Sequence, residues 1–200
     1  MVGGLARARK TLSVIFTTPV VSALARTPLT PDILTWIGFA ITAGAAVLIA
    51  LDYLIAAGAV VLFAGLFDML DGALARRTNR VTVFGGVLDS TLDRLSEGAL
   101  FIGALALFAG RGSDTGIILT GVVLIFSMLV SYIRARAEAA GLTCQVGIFT
   151  RPERVIVLAL GLFFDRIEIA MGIIAALSLF TAGQRLFCVW RQTKEKGVGG

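Results

Sequence analysis

Among the 13 acidic residues of this 200-residue chain, four stand at spacings that imply shared chemistry: Asp68 with Asp71, and Asp89 with Asp93. Three- and four-residue separations place each pair on one face of a helix. The two helices are joined by a short segment and are therefore antiparallel neighbours. The spacing thus predicts that all four carboxylates meet near one depth. Four acids in a partly desolvated place repel one another and need a cation. The donors are all oxygens, the chain has no His, and Cys144 and Cys188 are not at ligand spacing. That combination excludes a zinc site or a His-based triad, and it argues against a disulfide scaffold. It points to a hard divalent ion, Mg²⁺ or Mn²⁺, and four carboxylates suffice for two such ions. A metal pair of this kind serves phosphoryl transfer, with one carboxylate available as a base.

The neighbours of the acids fit the same chemistry. Gly72 removes a side chain next to Asp71, Gly85 does so on the facing helix, and Arg76 lies just over one turn beyond Asp71, placed for a phosphate. Helix packing and interfacial anchoring are the alternative uses of these residues.

The elements that must hold these groups are apolar. The chain is 57% hydrophobic and only 16% charged, with a mean hydropathy of +0.91, which excludes a large soluble catalytic module. Apolar runs predict six membrane-spanning helices: from Ile33 to Leu51, Leu54 to about Leu74, Phe84 to Ala109, Gly116 to Ile133, Val155 to Phe164 and Ile167 to about Val189. Thr30 and Pro31 form a helix start for the first. Before it, Leu5, Ala8, Leu12, Ile15 and Phe16 recur at helical spacing between Arg and Lys, predicting an amphipathic interfacial helix. The expected organisation is an interfacial segment over 1–28, an all-α membrane domain over 29–192 and a basic tail over 193–200.

The net charge of +5 reports orientation rather than a nucleic-acid partner. Basic residues cluster before the first span, after the second and fourth, and at the end of the chain, whereas the other gaps hold only Arg111 and Arg166. By the positive-inside rule both termini and the site face the cytosol, in a multi-pass protein of the cytoplasmic membrane.

The full pattern, Asp68-x2-Asp71-Gly72-x2-Ala75-Arg76-x8-Gly85-x3-Asp89-x3-Asp93, resembles the signature of the CDP-alcohol phosphotransferases, with every gap matched. The resemblance implies a six-helix membrane enzyme with a juxtamembrane helix, working as a homodimer. Its reaction transfers a phosphatidyl-type group from CDP-diacylglycerol, or an ether analogue, to an alcohol and releases CMP. It implies that Asp68, Asp71, Asp89 and Asp93 bind the metals, with Asp93 also the base. It further implies that Gly72, Ala75, Arg76 and Gly85 contact the nucleotide, together with Pro31, Asp32 and Thr35.

The acceptor is read from a second cluster. Arg134, Arg136, Arg151, Arg154 and Arg185 lie on the same side as the acids and suit a phosphate, so an already phosphorylated acceptor is expected. Positive-inside anchoring is the other use of such residues. The segments SYIRARAEAAGL, from Ser131, and RPERVIVL, from Arg151, resemble the phosphatidylinositol phosphate synthase branch, and FGGVLDSTLDR, from Phe84, resembles that branch or its archaeal ether-lipid counterpart. That resemblance implies inositol phosphate as acceptor. A phosphatidylglycerophosphate synthase using glycerol 3-phosphate is the alternative within the class. A divalent-cation transporter is the alternative outside it, although its polar groups should lie nearer the bilayer midplane.

Overall fold

The computed structural model describes residues 21–144 and 146–195. Six α-helices make up the fold of these residues: α1 (Pro31–Ala50), α2 (Leu54–Arg77), α3 (Val83–Arg111), α4 (Asp114–Ala139), α5 (Arg151–Phe163) and α6 (Ile167–Glu195). Most of the expected interfacial helix over 1–28 lies outside the described residues. Within its last part, residues 21–24 are helical, and Val21 is buried against Leu34 of α1 and Leu74 of α2. The start of α1 follows its local chemistry. Pro31 occupies the first turn, and the Thr30 hydroxyl accepts a hydrogen bond from the Ile33 N–H.

Helices α1, α2, α4 and α6 are long and apolar enough to cross a membrane, and no more than 44% of any of their apolar stretches is buried inside the bundle. The rest, including Ile55, Ile118, Ile125 and Phe187, faces outward, as lipid contact requires. Helix α3 carries Asp89, Asp93, Arg94 and Glu97 in its first half, which breaks its apolar run. Helix α5 has 13 residues, and at 1.5 Å per residue it is about 20 Å long.

Helix α1 packs against α2 and α3, α4 against α3 and α6, and α5 against α2 and α6. The common core includes Ile49, Val61, Phe101, Leu158, Leu162, Met171 and Ile174. Small residues permit the closest crossings. A Cβ on Gly103 of α3 would lie 2.4 Å from the Ala46 carbonyl oxygen of α1, so only glycine fits there.

The connections segregate to two ends. At one end Arg111 pairs with Asp52 at 2.6 Å and with Asp165 at 2.8 Å, tying together the α1–α2, α3–α4 and α5–α6 turns. Gly112, with φ +66°, ends α3 in the left-handed conformation that glycine adopts without strain. The α2–α3 and α4–α5 connections lie at the opposite end, with the acids.

Candidate active site

Asp68 and Asp71 occupy the last turns of α2, and Asp89 and Asp93 the first turns of α3. The short link is closed by Thr82, whose hydroxyl accepts the Gly85 N–H at 2.9 Å and starts α3. Asp71 is buried, the other three are partly buried, and the carboxylates lie within electrostatic reach of one another. The third contributor is α5. Its first residue, Arg151, donates through Nη1 to Asp68 Oδ2 at 2.6 Å and also to Asp93 Oδ1. One nitrogen serving both acids keeps those two oxygens within two hydrogen-bond lengths of each other.

As they stand, no three Asp, Glu, His or Cys side chains among the described residues close around one point tightly enough to hold a metal ion. The Arg151 guanidinium stands where Asp68 and Asp93 converge. A cation is therefore already drawn to this point, and the all-oxygen donor set suits Mg²⁺ or Mn²⁺. On these grounds the residues present fit a hard divalent ion.

Helix α1 supports the acids from the other side. The Thr35 hydroxyl donates to Asp71 Oδ2 at 2.9 Å, and the Gly72 N–H donates to Asp71 Oδ1. Thr35, expected in a nucleotide pocket, is thus engaged with a carboxylate. Asp32 stands across from α3: a Cβ on Gly85 would lie 3.2 Å from Asp32 Oδ1 and 2.9 Å from Thr82 Oγ1. The glycine keeps that approach open. Pro31, beside Asp32, is half-buried in the first turn of α1. Arg76 is exposed and folds back over Gly72, its Nη1 3.4 Å from where a Cβ would be, with the half-buried Ala75 beside it.

Of the Arg residues expected at an acceptor phosphate, Arg134 and Arg185 lie within electrostatic reach of each other. Arg134 is exposed and pairs with Glu138 at 2.8 Å, one turn along α4, and Arg136 is exposed on the same helix. Arg185 is buried, and it donates from Nε to the Val146 carbonyl at 3.0 Å and from Nη1 to the Val130 carbonyl. Buried donors must be satisfied, and these two hold α6 to Val130 of α4 and to Val146 of the α4–α5 connection. Only Arg151 reaches the acids.

That connection is tied down at further points. Gln192 of α6 donates to the Thr143 carbonyl at 2.8 Å, and the Ile148 N–H donates to Gln184 Oε1 at 3.3 Å. Cys144 is bonded to Cys188, with Cα atoms 6.3 Å apart. The expectation was against a disulfide scaffold, and this is a single cross-link between two residues. It depends on a tertiary contact across 44 residues, which spacing does not reveal.

Glu97 lies outside the expected residues, and Arg154, expected in the basic cluster, is its partner. Glu97 and Arg154, 6% and 2% exposed, form a two-pronged ion pair between α3 and α5: Nε to Oε1 at 2.5 Å and Nη2 to Oε2 at 2.9 Å. The available signal was spacing, since Glu97 continues the Asp89–Asp93 stripe by four residues and Arg154 follows Arg151 by three.

A family model described as CDP-alcohol phosphatidyltransferase matches residues 28–190. The phosphatidylinositol phosphate synthase of Mycobacterium marinum is 43% identical over 185 residues, covering 87% of this chain and 79% of that protein. The archaetidylinositol phosphate synthase of Methanothermobacter thermautotrophicus is 42% identical over 176 residues, covering 84% of this chain and 87% of that protein. The crystal structure of the Mycobacterium tuberculosis phosphatidylinositol phosphate synthase with CDP-DAG bound has a TM-score of 0.80 at 40% identity, covering 87% of this chain and 93% of that one. A second crystal structure of that synthase, with manganese and citrate, also gives a TM-score of 0.80 at 40% identity and covers 87% of this chain and 88% of that one.

Proposed function

Since the chain belongs to the CDP-alcohol phosphatidyltransferase family, we propose that it transfers the phosphatidyl group of a CDP-linked lipid to inositol phosphate and releases CMP. The observation that carries this reading is Arg151. A guanidinium suited to a phosphate stands against Asp68 and Asp93, within the motif shared with enzymes that act on a CDP-linked diphosphate. The two named relatives differ in their lipid and share inositol phosphate in their names, which supports the acceptor over glycerol 3-phosphate.

In this reading Asp68, Asp71, Asp89 and Asp93 hold Mg²⁺ or Mn²⁺, in keeping with the relative crystallised with manganese. The bound ions neutralise charge on the diphosphate and on departing CMP. Asp93 takes the proton of the acceptor hydroxyl. The hydroxyl oxygen bonds to the β-phosphorus, the bond from that phosphorus to the bridging oxygen breaks, and CMP leaves with the electron pair. Thr35 and the Gly72 N–H keep Asp71 oriented. Gly72, Ala75, Arg76 and Gly85, with Pro31 and Asp32, border the nucleotide, and Arg151 holds the acceptor's phosphate.

All six helices cross the membrane in this arrangement, with residues 29–192 as the catalytic unit, both termini cytosolic and the chain paired as a homodimer. The short α5 sets its first turn, and hence Arg151, below the membrane surface. Support comes from the clustering of basic residues at the site end and from the grouping of the three opposite turns by Arg111.

The test is CMP release by the purified protein with CDP-diacylglycerol and Mn²⁺, offering inositol phosphate, glycerol 3-phosphate, free inositol and serine in parallel. Selective turnover with inositol phosphate is expected. Turnover with glycerol 3-phosphate alone moves the acceptor assignment to the alternative.

A further inference from the structure

Cys144 and Cys188 are the two cysteines of the chain, and they are bonded to each other at the end of the bundle that carries the acids. In the reading above that end faces the cytosol, where thiol systems keep cysteines reduced and the disulfides that do form are mostly transient or redox-sensing. A cross-link at this place therefore calls for a reason other than permanent stapling.

Its surroundings suit a bond that opens and closes. Cys144 is 2% exposed, whereas Cys188 is only partly buried, so an attacking thiolate reaches the Cys188 sulfur and Cys144 is the leaving group. Both sulfurs have polar neighbours. The Arg185 carbonyl oxygen stands 3.6 Å from Cys144 Sγ, an acceptor for its S–H once the bond is open, and the Gln192 side-chain amide donates to Cys188 Sγ at 3.4 Å. The fold thus has a place for two thiols as well as for the disulfide.

What the bond controls follows from where it sits. It pins the α4–α5 connection to α6 seven residues before Arg151, the first residue of α5 and the side chain that bridges Asp68 and Asp93. The covalent loop it closes spans 44 residues and contains the whole of α5. Hydrogen bonds from Arg185 to the Val146 carbonyl and from the Ile148 N–H to Gln184 also hold the connection to α6. Opening the disulfide therefore loosens the entry to α5 without freeing it.

We propose that Cys144 and Cys188 form a redox site that regulates this enzyme. As the disulfide they hold the entry to α5 in its working position, and reduction by a cytosolic dithiol weakens use of the phosphorylated acceptor. In the reductive step one thiolate of the dithiol bonds to Cys188 Sγ, the bond between the two protein sulfurs breaks, and Cys144 leaves with the electron pair and takes a proton. The second thiolate of the dithiol then bonds to the first sulfur and releases Cys188, which takes the second proton. The protein gains two electrons and two protons, and the dithiol becomes a disulfide. The inference rests on the reading that the first turn of α5 serves the acceptor.

The experiment compares the purified full chain, oxidised in air, with the same protein treated with reduced dithiothreitol. Alkylation followed by mass measurement counts the thiols, and none should be present before treatment and both after it. Initial rates of CMP release are measured in each form, varying inositol phosphate and CDP-diacylglycerol separately. Reduction should raise the acceptor KM by about fivefold or more, the lower end of coupling between two sites, with the CDP-lipid KM within about twofold, and reoxidation should restore it. Melting temperature in detergent should fall by about 5–10 °C as the closed loop opens. The double variant Cys144→Ser with Cys188→Ser should match the reduced protein and ignore dithiothreitol, which separates the redox effect from any action of the reagent on Mn²⁺. Two thiols in the air-oxidised protein overturn the proposal. So does a disulfide that the folded protein keeps in dithiothreitol, which is then a structural staple, and so does an acceptor KM equal in the two forms. Arg151→Ala is measured alongside. If it raises the acceptor KM while reduction does not, the redox proposal alone fails, and if it leaves the KM unchanged, the acceptor-site reading fails.

Discussion

Asp93, proposed as the base, has one carboxylate oxygen on Arg151 and lies in the company of Asp68, Asp71 and Asp89. Asp93→Asn removes the proton acceptor with almost no change of shape. CMP release should fall by about 10³-fold, the scale of a lost general base, whereas binding of CDP-diacylglycerol by equilibrium titration should change by less than about threefold. Thr35 is a different case. The family resemblance placed it with the nucleotide, and its hydroxyl donates to Asp71, one helix away. Thr35→Val keeps the shape and deletes that donor. The Mn²⁺ concentration for half-maximal binding, followed by calorimetry, should rise by about tenfold, as for other groups that orient a metal-binding carboxylate. At this scale the acids were legible because i, i+3 and i, i+4 spacing is a local property. Arg185 was not, because its partners are backbone carbonyls of Val130 and Val146, on other elements.

The helices position the site through close approach as well as through side-chain contacts such as Thr35–Asp71, Arg151–Asp68 and Glu97–Arg154. Helices α1 and α3 approach closely at Gly103 and Ala46, and again where Asp32 stands against Gly85. Gly103→Ala would put a methyl group against the Ala46 carbonyl, and backbone cannot yield as a flexible side chain would. A loss of about 1–3 kcal/mol is expected, measured by thermal unfolding in detergent. Gly98→Ala is the matched control, since nothing lies within 4 Å of its Cβ position. It should be as stable as the unmodified chain or slightly more so, because alanine costs less backbone entropy in a helix. Helix limits near the apolar runs were legible to within a few residues. Helix α5 begins at Arg151, four residues before the apolar run that announced it, because Glu153 and Pro152 begin the helix in polar sequence. Helix α6 likewise continues past its apolar run to Glu195, so the first residues of the expected tail, 193–195, are helical.

For the molecule as a whole, alternating helices put the acids and the Arg111 cluster at opposite ends, and the proposed orientation follows from which end is basic. With Cys144 and Cys188 replaced by Ser, single cysteines at Asn79 in the α2–α3 link and at Ser113 in the α3–α4 turn report the two faces. An impermeant thiol reagent should label Asn79→Cys only from the cytosolic side and Ser113→Cys only from the other. Labelling of both positions from one side would refute the six-span topology. Arg111 itself is exposed along with its partners Asp52 and Asp165, so its pairs are worth about 1 kcal/mol or less each. Its role is to gather three turns, far from the chemistry.

The amino-acid sequence by itself determined the membrane environment, the six helical segments and the acidic motif with its family, because hydropathy, helical period and motif spacing are all local in the chain. Tertiary structure decided which arginine meets the acids, that Arg185 holds a loop, that Cys144 reaches Cys188, and that Glu97 pairs with Arg154. Each of these joins residues on different elements, and the partner of a long charged side chain is chosen by how helices cross and where a buried donor finds an acceptor. No spacing along one chain encodes that choice.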